Sequence, residues 1–234
     1  MPSGNLQGAI NDAMAFCWDE GYGYRQPGMG HGYADGFDCS GLIGRVLSDN
    51  GFNYPSTHVG TKNMDDNPMS TQNTLGNAGF QLIHVTDLNN IPPLQSGDIV
   101  VMNKYDWNDW HGTGGHTFFY VENIQAYTDP NAVSANIGLC SKAKVEASSD
   151  RGHSAPGDSR KNGNGAYWEV WCHAYSTLIP SSYNPQSTTE HCYVTIARWL
   201  GGNSSSEGAT QYLLSQYFRK RRLEDANITD WIDL

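Results

Sequence analysis

Apolar residues recur with helical spacing in two stretches near the start of the chain, and each stretch predicts an amphipathic helix. The first covers residues 6–19 and carries the stripe Leu6, Ile10, Met14 and Cys17. The second covers about residues 39–49 and carries the stripe Leu42, Ile43, Val46 and Leu47. It ends before Asn50-Gly51, a typical helix stop. Residues 20–37, between the two helices, are rich in glycine and tyrosine and predict a loop.

Farther along the chain, short apolar or alternating segments bounded by turn residues predict strands. These segments lie near residues 80–85, 98–103, 116–124, 133–139, 143–148 and 166–175. Residues 193–200 fit either a helix or a strand, and the polar segment 55–80 predicts at most one short helix. Helices followed by a run of strands indicate an α+β fold, with one antiparallel sheet and the second helix packed on it.

The composition changes after residue 180, where Ser, Pro, Asn and Gly predict a linker. We therefore expect one domain over residues 1–180 and an extension over residues 181–234. A helical pattern over residues 209–223 carries the basic cluster Arg219–Arg222. A chain that ends near residue 180 should keep its fold, unless residues 193–200 dock into the core and complete the sheet.

The charge and hydropathy of the chain exclude some classes of function. The formal net charge is −10, which argues against non-specific binding to nucleic acid. No run approaches the ~20 apolar residues of a transmembrane helix, so we expect no membrane insertion. Met1–Asn5 lacks the basic and apolar regions of a signal peptide, so no export signal is expected there.

Cys39 stands where the second helix is predicted to begin, directly after the Gly-rich loop. Asp38 and Ser40 are residue types that cap a helix or lie in its first turn. A cysteine at a helix N-terminus lies at the positive end of the macrodipole, which favours the thiolate over the thiol. The thiolate is the nucleophile, so Cys39 is a candidate catalytic residue. The alternative is a small buried cysteine that packs at the helix start.

His116 follows Gly114-Gly115 and opens a predicted strand, which would leave its imidazole at an accessible strand end. A catalytic histidine needs to be near its cysteine in the fold and not in the sequence. Gly115 would let a substrate or a second backbone approach closely. His116 is therefore the candidate partner of Cys39, and an ordinary strand histidine is the alternative.

Several motifs occur in an order that resembles the NlpC-type cysteine peptidases, papain-like enzymes that cut bacterial peptidoglycan. The motifs are Phe37–Leu42, with its Asp-Cys-Ser-Gly core, Leu94–Val101, with its Ser-Gly-Asp turn, and Gly115-His116. Upstream, Tyr24 lies in what looks like the family's tyrosine-containing segment, and Pro55–Thr57 looks like its segment after the nucleophile helix.

The resemblance covers roughly residues 8–150 and implies a papain-like fold, in which an antiparallel sheet packs against the helix with the nucleophilic cysteine. The family's third catalytic residue, usually a histidine, orients the imidazole. By position it is Glu146 here, a departure that is similar to the related CHAP amidases. A carboxylate there would hold one ring nitrogen and stabilise the imidazolium. Ser148 and Asp150 are the alternatives for this role.

The resemblance further implies a peptidoglycan hydrolase that cuts an amide through a Cys-His acyl-enzyme, as phage endolysins and tail-associated lysins do. It would act at the bacterial cell wall, extracellularly or from a virion, and would need no cofactor or metal. The bond would be the muramoyl–L-alanine amide or one within the stem peptide. Residues expected to contact substrate are Tyr24, Asp38, Ser40, Trp110 and Gly115.

Other functions remain open on the same motifs. The fold and the Cys-His pair would also serve an acyltransferase or transpeptidase. A non-enzymatic alternative is a wall-binding or virion structural module on a hydrolase scaffold. In either case residues after 180 would serve attachment to the wall or assembly into a virion.

The cysteine count is odd, as an unpaired nucleophile requires. The five are Cys17, Cys39, Cys140, Cys172 and Cys192. Cys172-His173 and His191-Cys192 form a mirrored pair, for which three interpretations compete: a zinc site, a Cys172–Cys192 disulfide, and reduced packing residues.

Overall fold

The computed structural model describes residues 4–18, 24, 36–127, 137–148, 169–174 and 178–201. The helices in these ranges are α1 (Leu6–Trp18), α2 (Cys39–Asp49) and α3 (Thr74–Asn77). The strands are β1 (Phe80–Val85), β2 (Ile99–Asp106), β3 (Gly112–Tyr127), β4 (Ile137–Ser148), β5 (Glu169–Ala174) and β6 (Glu190–Trp199). None of the helices so described is long and apolar enough to cross a membrane.

The six strands form a single sheet in the order β1-β6-β2-β3-β4-β5, with antiparallel pairing between neighbours. The last strand in sequence, β6, lies between β1 and β2. Val194 of β6 pairs with Val85 on one side and with Met102 on the other. The β2–β3 pairing continues this row, because Met102 also pairs with His116.

Helices α1 and α2 pack on one face of the sheet and enclose what we call the helix-side core. The apolar stripe of α2 is fully buried there, because every second residue of the inner strands points toward it. The contacts include Leu42, Ile43, Val46 and Leu47 of α2 and Ile99, Val101, Phe119 and Val145 of the sheet. Each such side chain contributes ~1.5–3 kcal/mol through burial.

The other face of the sheet carries a smaller core, which loops cover. Its sheet residues are Val100, Met102, Phe118, Tyr120, Val194 and Ile196. The covering residues come from the segments 88–94 and 178–183. Phe118 and Phe119 therefore serve opposite cores, as strand alternation requires.

The predicted α+β class and the bounds of both long helices are confirmed. One strand prediction is wrong: segments 133–139 and 143–148 were expected to be separate, whereas β4 runs unbroken from residue 137. The long strand β3 explains this, because it pairs with β4 from Tyr127↔Ile137 to Phe119↔Val145. Residues 133–136, residues 25–35 of the predicted Gly- and Tyr-rich loop, and the predicted basic helix 209–223 lie outside the described residues.

The expected boundary near residue 180 needs correction. A division there would separate β6 from the sheet, although β6 pairs along its length with both β1 and β2. The folded unit therefore extends at least through Trp199, and any extension begins later. The sequence pattern of residues 193–200 fits either a helix or a strand. In the structure residues 193–199 belong to β6, because this strand pairs with β1 and β2 on either side.

An ion pair fixes the end of β6 against the start of β2. Arg198 donates to Asp98 through Nε at 2.9 Å and through one terminal nitrogen at 2.7 Å. Asp98 is 2% exposed, so its charge needs this partner. The Asp98 carboxylate also accepts the backbone N–H of Gln95 at 2.7 Å, which closes the turn before β2.

We predict that a chain ending at Thr189 does not fold, because it loses an inner strand and exposes both β1 and β2. The loss should exceed the ~5–15 kcal/mol by which domains are usually stable. A chain ending at Gly201, which retains all six strands, is the matched control. Far-UV circular dichroism with thermal unfolding makes the comparison. Cooperative unfolding of the shorter chain near the temperature of the control would contradict the corrected boundary.

Candidate active site

Cys39 is the first residue of α2, and Asp38 caps the helix. The Asp38 carboxylate accepts the backbone N–H of Gly41 at 2.6 Å, and the Asp38 carbonyl accepts that of Leu42 at 3.0 Å. The predicted cap is thus present. The thiol lies at the positive end of the helix dipole and is 7% exposed. The thiol is therefore largely shielded from water.

His116 lies near the start of β3 and is bound by Glu146 of the neighbouring strand β4. Nε2 of His116 and Oε2 of Glu146 are 2.7 Å apart. The imidazole side chain is 20% exposed, whereas the Glu146 side chain is 2% exposed. Of the three candidates for the third catalytic residue, Glu146 makes this contact. Ser148 is the last residue of β4, and Asp150 lies outside the described residues.

The surroundings of His116 favour its protonated form. Burial lowers the pKa of this imidazole, but the Glu146 charge, a hydrogen bond with Cys39, the Glu146 hydrogen bond and the Cys39 charge together raise it to about 10. Because Glu146 binds Nε2, Nδ1 is left for the Cys39 thiol. Cys39 and Glu146 thus both act on this imidazole, and both favour its protonated form.

Lys144 brings a second positive charge to Glu146. Its Nζ lies 3.8 Å from Oε2 of Glu146 and 4.6 Å from the centre of the Phe118 ring. Lys144 is itself 4% exposed. The two cations and the ring face offset the cost of burying the carboxylate and the ammonium group.

His58 was not identified from the sequence, yet it binds the residues that flank Cys39. Its Nε2 lies 2.7 Å from Oδ2 of Asp38 and 3.3 Å from Oγ of Ser40. The hydrogen bond to Asp38 raises the pKa of His58 above 6.5, although burial acts in the opposite direction. The available signal was its position next to Pro55–Thr57, the segment that resembles the family pattern after the nucleophile helix.

A buried polar network anchors the segment that leads away from His58. Asp65 accepts the Thr195 hydroxyl at 2.6 Å and the Asn67 amide at 2.6 Å. The Tyr105 hydroxyl donates to Asn67 at 3.2 Å. Asp65 is fully buried, and this burial raises its pKa. The network ties the segment to β2 and β6, and so holds it against the sheet beside the candidate site.

The predicted substrate contacts lie in different surroundings. Asp38 and Ser40 are 4% and 3% exposed, and their polar atoms serve the cap, each other and His58. Tyr24 forms a parallel bridge with Phe37 and packs against the helix-side core. A substrate role for these residues remains a prediction.

Gly115 and Trp110 are the other two predicted contacts. Gly115 does permit a close approach, but by this chain itself: a Cβ there would lie 2.1 Å from Oγ1 of Thr61. Its backbone is nevertheless exposed. Trp110 lies in the turn between β2 and β3, where its ring stacks on His191 with 3.7 Å between ring centres. Their contact with substrate likewise remains a prediction.

The topology of the sheet rules out the cysteine pairing considered from the sequence. Cys172 is on β5 and Cys192 on β6, and β2, β3 and β4 lie between them. At ~4.8 Å per strand the two are about 19 Å apart, too far for a disulfide or a shared zinc ion. Cys192 and Cys39 are reduced cysteines. Within the described ranges, no three potential metal ligands are gathered together.

Comparisons with known proteins do not assign this chain to a family. A scan against protein-family models and a search of curated protein sequences each found no match. The likeness to the NlpC-type peptidases therefore rests on the motifs named above, and the functional argument rests on the geometry of the site.

We predict that the stabilisation contributed by His58 depends on pH. Because the pKa of His58 is raised in the folded state, this contribution is complete below the unfolded pKa of ~6.5 and is lost as pH rises through the folded pKa. Urea unfolding of His58→Gln and the parent chain at about pH 5.5, 7 and 9 measures the difference.

The matched control is His111→Gln, which removes an exposed imidazole in the turn before β3. This change should leave the free energy of unfolding almost unaltered at every pH. A His58→Gln deficit that stays constant or grows toward pH 9 would refute the role assigned to the Asp38–His58 pair.

We further predict that Lys144→Met lowers the free energy of unfolding by ~3 kcal/mol, because it removes one of the partners of a buried carboxylate. Lys142→Met is the control, since Lys142 is an exposed lysine on the same strand. Equilibrium unfolding in urea makes the comparison. Equal stability of the two variants would show that Lys144 does not support Glu146.

Proposed function

We propose that this protein is a cysteine peptidase or amidase that hydrolyses an amide bond of bacterial peptidoglycan. The observation that carries the proposal is the grouping of Cys39, His116 and Glu146, in which Glu146 binds the imidazole at 2.7 Å and Cys39 acts on the same ring. It joins a helix N-terminus to two adjacent strands, and it combines a nucleophile, a base and a group that orients the base. The architecture that the proposal implies is papain-like.

The reaction begins with the thiolate of Cys39, whose proton resides on His116. The sulfur attacks the amide carbonyl carbon, and the backbone N–H at the start of α2 stabilises the oxygen anion that forms. His116 then donates its Nδ1 proton to the amine that leaves, and a thioester with Cys39 remains. A water molecule gives a proton to His116 and attacks the thioester, which releases the acid and restores the thiolate.

Glu146 contributes in two ways. Its hydrogen bond to Nε2 holds the ring so that Nδ1 faces the sulfur, and its charge stabilises the imidazolium. The burial of Glu146 strengthens this interaction, since little water screens it. His58 and Asp38 act on the other side of the nucleophile, where they fix the first turn of α2.

The choice of peptidoglycan as substrate comes from the motif resemblance and is part of the proposal. Two bonds compete, the muramoyl–L-alanine amide and an amide within the stem peptide or cross-bridge. Such an enzyme acts at the bacterial cell wall, and a phage endolysin or a tail-associated lysin fits this place of action.

We predict that purified peptidoglycan is cleaved by the parent chain and not by Cys39→Ala. His116→Gln should lower turnover at least ~10²-fold, as expected for loss of a general base. Mass spectrometry of the released fragments identifies the bond that is cut. Cys192→Ala is the control, because Cys192 is a buried thiol whose pKa is raised by burial. Full cleavage by Cys39→Ala would refute the proposal.

A second measurement tests the thiolate–imidazolium pair without any substrate. Iodoacetamide should alkylate Cys39 at about pH 6 at least ~10-fold faster than an ordinary thiol, whose pKa is ~8.5. Glu146→Gln retains a hydrogen bond but removes the charge, so the pKa of His116 falls and the rate at this pH declines. An unchanged rate in Glu146→Gln would show that Glu146 does not stabilise the imidazolium.

A further inference from the structure

Three aromatic rings form a stack at the turn between β2 and β3, here called the aromatic stack. The His191 imidazole lies between Trp107 and Trp110. The distances between ring centres are 4.2 and 3.7 Å, and the interplanar angles are 10° and 7°. Trp107 is 48% exposed, whereas most large apolar side chains of the described residues are buried. An ordered indole face is thus presented to solvent.

The turn that carries the two indoles is held in one conformation. The backbone N–H of Asp106 donates to the carbonyl of His111 at 2.7 Å, and that of Trp110 donates to the carbonyl of Asp106 at 3.2 Å. His191 Nε2 lies 3.3 Å from the Trp107 carbonyl. The rings are therefore fixed before any ligand arrives, which reduces the entropy lost on binding.

Trp110 has a left-handed backbone conformation, with φ of 59°. A bulky residue with positive φ costs ~1–3 kcal/mol, and such strain clusters at sites of function. Glycine or asparagine would relieve the strain, but neither could stack on His191. The position thus retains an indole at a cost in stability.

The aromatic stack lies on the same face of the sheet as the nucleophile helix. His191 and Tyr193 alternate along β6 with residues of the opposite core and share the face of Ala197, which packs in the helix-side core. His191 of β6 pairs with Tyr105 of β2. Three residues before Tyr105 on the same strand, Met102 pairs with His116 of β3. At ~3.3 Å per residue and ~4.8 Å per strand, His116 is about 10 Å from His191 along the strand and about 10 Å across it, and it pairs with Met102 of the opposite core.

The charges around the aromatic stack select among polymeric ligands. Glu190 lies beside it on β6, where it accepts the Thr113 hydroxyl at 2.8 Å and pairs with Lys104 at 3.5 Å, and Asp109 is exposed in the turn. The Asp109 carboxylate and the net charge of −10 disfavour phosphate polymers and nucleic acids. A neutral sugar instead offers an apolar C–H face for an indole and hydroxyl groups for carboxylates and hydroxyls.

We propose that the aromatic stack is a subsite for a neutral, β-linked N-acetylhexosamine chain, with Trp107 as the platform and His191 and Trp110 as its support. The identity of this occupant rests on the proposed function, since such a chain is the glycan of peptidoglycan. The subsite would hold the glycan strand while the attached peptide reaches Cys39 at the start of α2, which packs on the same face of the sheet.

The test is a titration of the full chain carrying Cys39→Ala, which binds without cleaving, with tetra-N-acetylchitotetraose. We expect a Kd of about 1 mM or tighter, and at least a ~10-fold weaker Kd when Trp107→Ala is added. Leu139→Ala is the control, because Leu139 is an exposed apolar residue on β4, 64% exposed and outside the site. Equal affinities of the Trp107→Ala and Leu139→Ala proteins would overturn the proposal.

A direct readout guards against an effect of the Trp107 substitution on folding. In the protein with the native Trp107, the tetrasaccharide should shift the indole N–H signals of Trp107 and Trp110 in NMR spectra. A stem pentapeptide or glycerol phosphate should leave these signals in place. Shifts caused by the peptide or the phosphate, and not by the sugar, would overturn the choice of ligand.

The outcomes also separate this proposal from the proposed function. Sugar binding that depends on Trp107, in a protein that leaves peptidoglycan intact, would support the subsite and refute the hydrolase. Cleavage of peptidoglycan that is unchanged in Trp107→Ala, without sugar binding, would refute the subsite and support the hydrolase.

Discussion

Glu146 carries its carboxylate at a position where 2% of the side chain is exposed, and the arrangement of the candidate site follows from that burial. A buried charge is tolerated only with close partners, and here they are His116 and Lys144. Because Glu146 and His116 lie on adjacent strands, the β3–β4 register has to be exact for the pair to form. His116 also interacts with Cys39 at the start of α2, so the surroundings of Cys39 depend on the same sheet register.

The parts of this arrangement that sequence predicts are those that local physics determines. The cap of α2 by Asp38 follows from residue type and spacing, and the buried stripe of the helix follows from its periodicity. Glu146 was placed by its position on a strand after His116, through likeness to a family pattern, and the contact with His116 agrees with that placement.

The parts that sequence does not predict depend on contacts between distant segments. His58 lies 20 residues from Asp38, and no periodic pattern links the two. The position of β6 between β1 and β2 is a property of the sheet topology. The alternation of residues within 190–199 does not predict which strands β6 pairs with. The stacking of His191 between two indoles has the same origin, since it needs β6 to lie beside β2.

The location of β6 has a consequence for how the protein is made. Strands β1 and β2 end 105 and 84 residues before β6 begins, yet they do not pair with each other and both leave an edge open until β6 is made. Open edges of this kind are where nascent chains pair wrongly with one another. The sheet that supports Cys39 and His116 is thus completed late, only after β6 has left the ribosome and inserted between β1 and β2.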